Sequence, residues 1–144
     1  LHYPLRRQRQ MCIRDSYWHQ LKYAQQKSIL EQQFVIDMNS NKMGYRINST
    51  QTFDDCYHEL IKYSPSLSVP VTFGTIQIPS SKQLIILMKD RQTIGGYPNI
   101  GTVMKTDLFR LCQMKNGQQI SLLPTTLTQA QQQLQAFYQR FGLN

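Results

Sequence analysis

The chain has 144 residues, 40% of them hydrophobic, three cysteines and a formal net charge of +8. That length suits one domain or one lobe of a larger protein, with a modest core. No run of about 18 apolar residues is present, so no membrane-spanning helix is expected.

The charge is concentrated at the start. Residues 6 to 16, RRQRQMCIRDS, hold Arg6, Arg7, Arg9 and Arg14. Such an arm can neutralise phosphates of a nucleic acid or an acidic membrane surface, or it can be a solvated terminus. A third reading accounts for more. Written back into codons, Leu1 to Ser16 reproduces a transposase-type sequencing adapter preceded by a sample index. Residues 1–16 are therefore set aside as a non-native, disordered segment that makes no consistent packing with the rest, and the native N-terminus is expected upstream. Without the arm's four Arg and one Asp, the charge falls from +8 by 3 to +5, spread over 12 basic and 7 acidic residues. No electrostatic footprint for nucleic acid remains. Cys12 leaves with the arm. Cys56 and Cys112 stand far apart with no CxxC or Cys/His spacing, which fits a reducing, cytoplasmic compartment better than a disulfide framework.

From residue 17 onward the pattern predicts a mainly β fold with flanking helices. Residues 17–33 lack Gly and Pro and place Trp18, Leu21, Ala24 and Leu30 at helical spacing. FVIDM at 34–38 is β-prone, and NSNKMG at 39–44 is a turn in which Gly44 can take positive φ before the strand YRI. Residues 48–68 are polar, with Pro65 in a Ser-rich stretch, and an irregular connection is expected there. VPVTFGTIQIP at 69–79 reads as a strand broken at Gly74, and LIILM at 84–88 as a fully buried strand. Thr106 is the expected cap of a short helix, with Asp107 in its first turn and Leu108, Leu111 and Cys112 on one face. Asn116 and Gly117 make a turn into QQISLLP. A last helix begins with Thr126 and Gln129 as a capping box, carries an apolar stripe of Leu127, Ala130, Leu134, Phe137 and Phe141, and closes at Gly142.

Little in this pattern carries chemistry. His19 and His58 have no Ser or Cys nucleophile near them in sequence, and no metal set, P-loop or GxGxxG is present. The suggestive stretch is DRQTIGGYP, residues 90–98. Gly95 and Gly96 let backbone N–H groups approach an oxyanion, carboxylate or phosphate, Gln92 and Thr93 add neutral hydrogen bonds, and Asp90 and Arg91 can pair or contact substrate. The competing explanation is a tight turn stiffened by Tyr97 and Pro98.

NSNKMGYRI, GTIQIP, LMKDRQTIGGYPNIGTV and DLFRL, in that order, resemble the second subunit of allophanate-hydrolase-type proteins, also described as the biotin-dependent carboxyltransferase family and as a 5-oxoprolinase subunit. Asn41, Met43, Gly44, Tyr45 and Arg46 match an NRMGYR-like turn with Lys42 for Arg. Gly74, Thr75, Ile76, Gln77 and Pro79 match a GTIQVP-like strand, with Phe73 where Pro is common. Gln92, Thr93, Gly95, Gly96, Tyr97 and Pro98 match a QTTGGYP-like loop with Ile94 for Thr. The match runs from about residue 17 to the C-terminus and marks residues 17–144 as the C-terminal lobe of a protein about twice as long.

The resemblance implies a cyclophilin-like β-barrel, a homologous partner subunit and a third catalytic subunit, and ATP-dependent opening of the lactam 5-oxoproline to glutamate. Related fused proteins instead move a carboxyl group from carboxybiotin to urea, with biotin as cofactor, and another branch is described as antagonising a protein inhibitor of a histidine kinase. The substrate-binding residues it implies are Arg46, Gln77, Gln92, Thr93, Gly95, Gly96 and Tyr97, with Arg46 neutralising an anion. It assigns no catalytic residue and no metal, and the fragment alone is expected to be inactive.

Overall fold

A computed structural model describes residues 8–13, 16–63 and 69–142. Seven strands close into a barrel in the order β1 (Gln8–Cys12), β8 (Asn99–Val103), β5 (Thr75–Gln77), β6 (Gln83–Leu87), β3 (Gly44–Ser49), β2 (Phe34–Ile36) and β9 (Gln119–Thr125). All neighbours pair antiparallel except β1 and β9, which run parallel. A two-stranded ribbon, β4 (Val69–Pro70) with β7 (Ile94–Gly95), forms a separate sheet. The mainly β expectation holds, and closure removes the open edges that an unclosed sheet would expose.

Period-two alternation explains how the barrel is filled. Ile47 of β3, Ile76 of β5, Leu84 and Ile86 of β6, and Ile120 of β9 are fully buried. Burying such a side chain contributes roughly 1.5–3 kcal/mol. LIILM is not a fully buried strand: Leu84 and Ile86 face the core, while Ile85 and Leu87 are half-buried on the outside. Four β-branched or γ-branched residues in a row hide that alternation from the sequence.

The helices depart from expectation in informative places. Residues 17–33 divide into a 3-10 turn, Tyr17–Gln20, and the helix α1, Tyr23–Leu30. Leu21 is extended between them (φ −80°, ψ 142°), which sends both Trp18 and Leu21 into the core. The expected irregular stretch contains α2, Asp54–Ile61, with Asp54 and Asp55 in its first turn and Cys56 and Leu60 buried. Residues 64–68, including Pro65, lie outside the described residues. In α3, Lys105–Leu111, Met104 takes the N-cap position, Thr106 is buried within the first turn, and Cys112 is exposed at the C-cap. The capping box of α4, Leu127–Arg140, is as expected, with Gln129 N donating to Thr126 Oγ1 at 3.1 Å. Gly117 (φ 85°) and Gly142 (φ 67°) occupy the left-handed region, whereas Gly44 does not. Gly44 instead lies under β6, where an added Cβ would meet Ile85 Cγ2 at 3.0 Å.

Residues 8–13 depart from the expectation of a disordered arm, while residues 1–7, 14 and 15 lie outside the described residues. Residues 8–12 of β1 pair with residues 121–125 of β9, and Met11 and Cys12 pair with Val103 and Thr102 of β8. Met11 and Arg9 are buried, and Gln10 N donates to Asp107 Oδ2 at 2.6 Å. The physical reason is the seam itself. β8 and β9 would otherwise present unpaired N–H and C=O groups, and main-chain pairing accepts any extended segment that places an apolar side chain inward. Met11 supplies that side chain, and Gly101 makes room for it: a Cβ there would lie 3.1 Å from the Cys12 carbonyl oxygen and 3.2 Å from Met11 Sδ.

Candidate functional site

The outer face of three adjacent strands carries the polar residues that the inner face excludes. In register, Arg46 of β3 lies opposite Ile85 of β6, and Gln77 of β5 lies opposite Ile85 from the other side. Gly44 likewise faces Leu87. A bulge between Ile76 and Gln77 interrupts the β5–β8 ladder, the kind of irregularity that re-aims a side chain beside a site.

The Gly-Gly loop walls this face. Val71 N donates to the Thr93 carbonyl at 3.1 Å, Ile78 N donates to the Pro98 carbonyl at 3.1 Å, and β4 pairs with β7, so the loop is tied down at both ends. Between loop and sheet lies a cavity of about 280 Å³ lined by Asn41, Met43, Gly44, Arg46, Gln77, Ile85, Leu87, Gln92, Ile94, Gly95, Gly96 and Tyr97. Its size sits just below the roughly 300–1,000 Å³ of drug-sized ligand sites, which suits a small metabolite.

Six of the seven residues expected to bind substrate, Arg46, Gln77, Gln92, Gly95, Gly96 and Tyr97, meet in this one cavity. Thr93 does not: it is exposed outside the lining, and its backbone carbonyl serves the ribbon. Asp90 and Arg91 are also outside, shaping the preceding turn through Asp90 N to the Lys42 carbonyl (2.9 Å) and Arg91 Nη1 to the Lys89 carbonyl (3.3 Å). His19 and His58 are exposed and do not border the cavity. Asn41, Met43, Gly44, Ile85, Leu87 and Ile94 complete the lining. Sequence alone carried a hint of Asn41, Met43 and Gly44 through the NSNKMG turn and of Leu87 and Ile94 through the LMKDRQTIGGYP stretch, and none of Ile85.

Side-chain chemistry at the site is directional. Arg46 Nη1 donates to Gln83 Oε1 at 2.9 Å, Gln83 Nε2 to Asn48 Oδ1 at 2.7 Å, and Asn48 Nδ2 to Asp37 Oδ2 at 2.6 Å. This ladder fixes one edge of the guanidinium and leaves Arg46 at the cavity margin. Asp37 is held below the ordinary carboxylate range, first by the N–H of Asn39, then by Asn48, with the charge of Arg46 adding to both. Asn41 Oδ1 accepts from Met43 N at 2.8 Å and Gly44 N at 3.3 Å, which locks the turn beside Arg46.

Among the described residues, no Ser, Thr or Cys lines the cavity. Burial, reinforced by Asp55, pushes the Cys56 thiol up to about 11, and burial also raises Cys112. Both thiols are protonated at neutral pH and neither lines the cavity. Among the described residues, no group of three or more His, Cys, Asp or Glu is placed to hold a metal ion.

The chain belongs to the family of carboxyltransferase domains, subdomain A and B, whose model matches residues 2–124. It is 40% identical over 98 residues to a 5-oxoprolinase subunit of Haemophilus influenzae, covering 68% of this chain and 30% of that protein. It is 30% identical over 113 residues to the 5-oxoprolinase subunit of the same designation in Escherichia coli, covering 78% and 34%. The chain thus spans about a third of the length of these relatives. The fold is shared with urea amidolyase of Kluyveromyces lactis, with a TM-score of 0.70 at 16% identity over 89% of this chain and 8% of that one. The family match begins ahead of β1 and takes that strand in.

Proposed function

We propose that this chain is part of a subunit of an ATP-dependent 5-oxoprolinase, and that the cavity under the Gly-Gly loop receives the small lactam acid. The observation that carries this reading is the convergence of Arg46, Gln77, Gln92, Gly95 and Gly96 in one cavity, from two barrel strands and a loop far apart in sequence. The relatives named as 5-oxoprolinase subunits support the substrate. In this reading Arg46 pairs with the carboxylate, Gln92 and the Gly95–Gly96 backbone orient the lactam, and Ile85 and Leu87 form an apolar floor for the ring methylenes.

ATP answers a chemical need, because a lactam is a poor electrophile until its carbonyl oxygen is phosphorylated. The residues here do not fit a nucleoside triphosphate: one arginine and a cavity of about 280 Å³ match neither its charge nor its bulk. The reading therefore places ATP and the attacking water on partner subunits, a homologous one and a third catalytic one, in the cytoplasm, where free thiols such as Cys56 and Cys112 persist.

The test is an ATPase assay on the full-length subunit reunited with its partners. Stimulation by 5-oxoproline, with Gln92→Ala raising KM or lowering turnover at unchanged stability, supports the reading. An ATPase rate indifferent to 5-oxoproline rejects it, and carboxyl transfer from carboxybiotin to urea would replace it.

A further inference from the structure

We infer that Gln77 is the residue that selects the ligand, by pairing its side-chain carboxamide edge-on with an amide whose N–H and C=O lie on the same side. The inference rests on the reading of the cavity given above and assigns its specificity. Gln77 as a whole residue is 5% exposed and lines the cavity, and among the described residues its side-chain amide makes no hydrogen bond to protein, while neither amide atom is among the fully enclosed polar atoms. The amide therefore keeps access to the cavity, space that a ligand can fill.

Gly95 gives a second, independent sign. Its φ is not in the left-handed region, so backbone conformation does not require glycine there. Space does: an ideal Cβ on Gly95 would lie 2.5 Å from Gln77 Nε2. The glycine keeps the amide where it is. The bulge beside Gln77 is a further local departure from regular pairing at the same residue.

The complementary chemistry follows from the inventory of a carboxamide, which has two donors on nitrogen and an acceptor oxygen. Gln77 Nε2 donates to the ligand carbonyl oxygen while the ligand N–H donates to Gln77 Oε1. A lactam ring forces this same-side arrangement, whereas an ordinary secondary amide is trans and cannot present it. Urea and the ureido ring of biotin carry the same edge. The lactam acid is favoured because Arg46 shares the face across Ile85, two strand spacings or about 10 Å away between Cα atoms, and offers a carboxylate partner that urea lacks.

Titration calorimetry of the full chain with 5-oxo-L-proline, its N-methyl derivative, urea and biotin tests this. Expected is binding of 5-oxoproline that falls at least about tenfold on N-methylation and in Gln77→Met. Gly95→Ala, whose new methyl group crowds only the tip of the flexible Gln77 side chain and makes an ordinary 3.4 Å contact with Val71 Cγ1, should keep the melting temperature and still weaken 5-oxoproline. If Gln77→Met does not fold, the N-methyl ligand and Gly95→Ala decide the matter. Undiminished binding of 5-oxoproline in all three comparisons overturns the role of Gln77 while leaving the cavity reading intact. Tighter binding of urea or biotin than of 5-oxoproline overturns the lactam assignment. Absence of binding by all four ligands rejects the cavity reading along with the inference.

Discussion

The two faces of β3, β6 and β5 share a backbone and differ in everything else. Inside, Ile47, Ile76, Leu84 and Ile86 are fully buried against one another. Outside, one residue along each strand, Arg46, Ile85 and Gln77 stand in a row under a loop tied down by hydrogen bonds. Side chains alternate with a period of two, so stability and recognition are written on the same strands without competing for the same positions. Substitutions inside should unfold the barrel, and substitutions outside should leave it folded and change what it binds.

The largest effect that can sharpen this contrast is Ile86→Ala, which opens a cavity at the centre of the inner face. Denaturant unfolding should show a loss of about 3–5 kcal/mol, the upper part of the range for such truncations. A loss below about 1 kcal/mol would break the inner half of the comparison. Next comes Met11→Ala in the seam strand. Because Met11 is fully buried between β8 and β9, about 2–3 kcal/mol should be lost. An unchanged unfolding midpoint would instead restore the expectation of a disordered arm.

On the outer face, Gln92→Ala should alter ligand affinity severalfold while stability stays within about 0.5 kcal/mol, as surface substitutions do. Equal losses of both would show that the faces are not separable. The smallest effect concerns Asp37. Its carboxyl is held below the ordinary range by Asn39, Asn48 and Arg46, so the folded state binds a proton less readily than the unfolded chain. That stabilisation is present above the unfolded value near 3.8 and is lost as pH falls through the lower folded value. Between pH 5 and 2, unfolding curves of the native chain should therefore converge on those of Asp37→Asn, and parallel curves would remove the ladder from the account.

How much of this was legible beforehand depends on the distance over which each feature is specified. The capping box at Thr126 and Gln129 and the turn at Gly117 are local, and sequence declares them. Around α2, the spacing of Phe53, Cys56 and Leu60 is helical, and all three are buried, but polar neighbours masked the pattern. The apolar run at 84–88 could not reveal that Ile85 and Leu87 face outward, because only pairing with β3 and β5 decides the face. The ribbon of β4 with β7 joins residues 69–70 to 94–95 and has no local signature. Motif resemblance named Arg46, Gln77 and the Gly-Gly loop. It did not foresee that the Gln77 amide would border the cavity with no protein partner, that Gly95 would be needed for space, or that Thr93 would give its carbonyl to the ribbon. The N-terminal segment failed for a related reason, since strand pairing at a seam depends on backbone more than on side-chain identity.

The most direct measurement is an NMR titration of the isotopically labelled chain with 5-oxo-L-proline, following the side-chain NH2 of Gln77 and the backbone amides of Gly95 and Gly96. These resonances should shift together and saturably, while those of Gln118 and Gln119, which line a separate cavity beside Arg110, stay in place. Shifts confined to Gln118 and Gln119, or no shift at the Gly-Gly loop, would contradict a lactam site on the outer face of β3, β6 and β5.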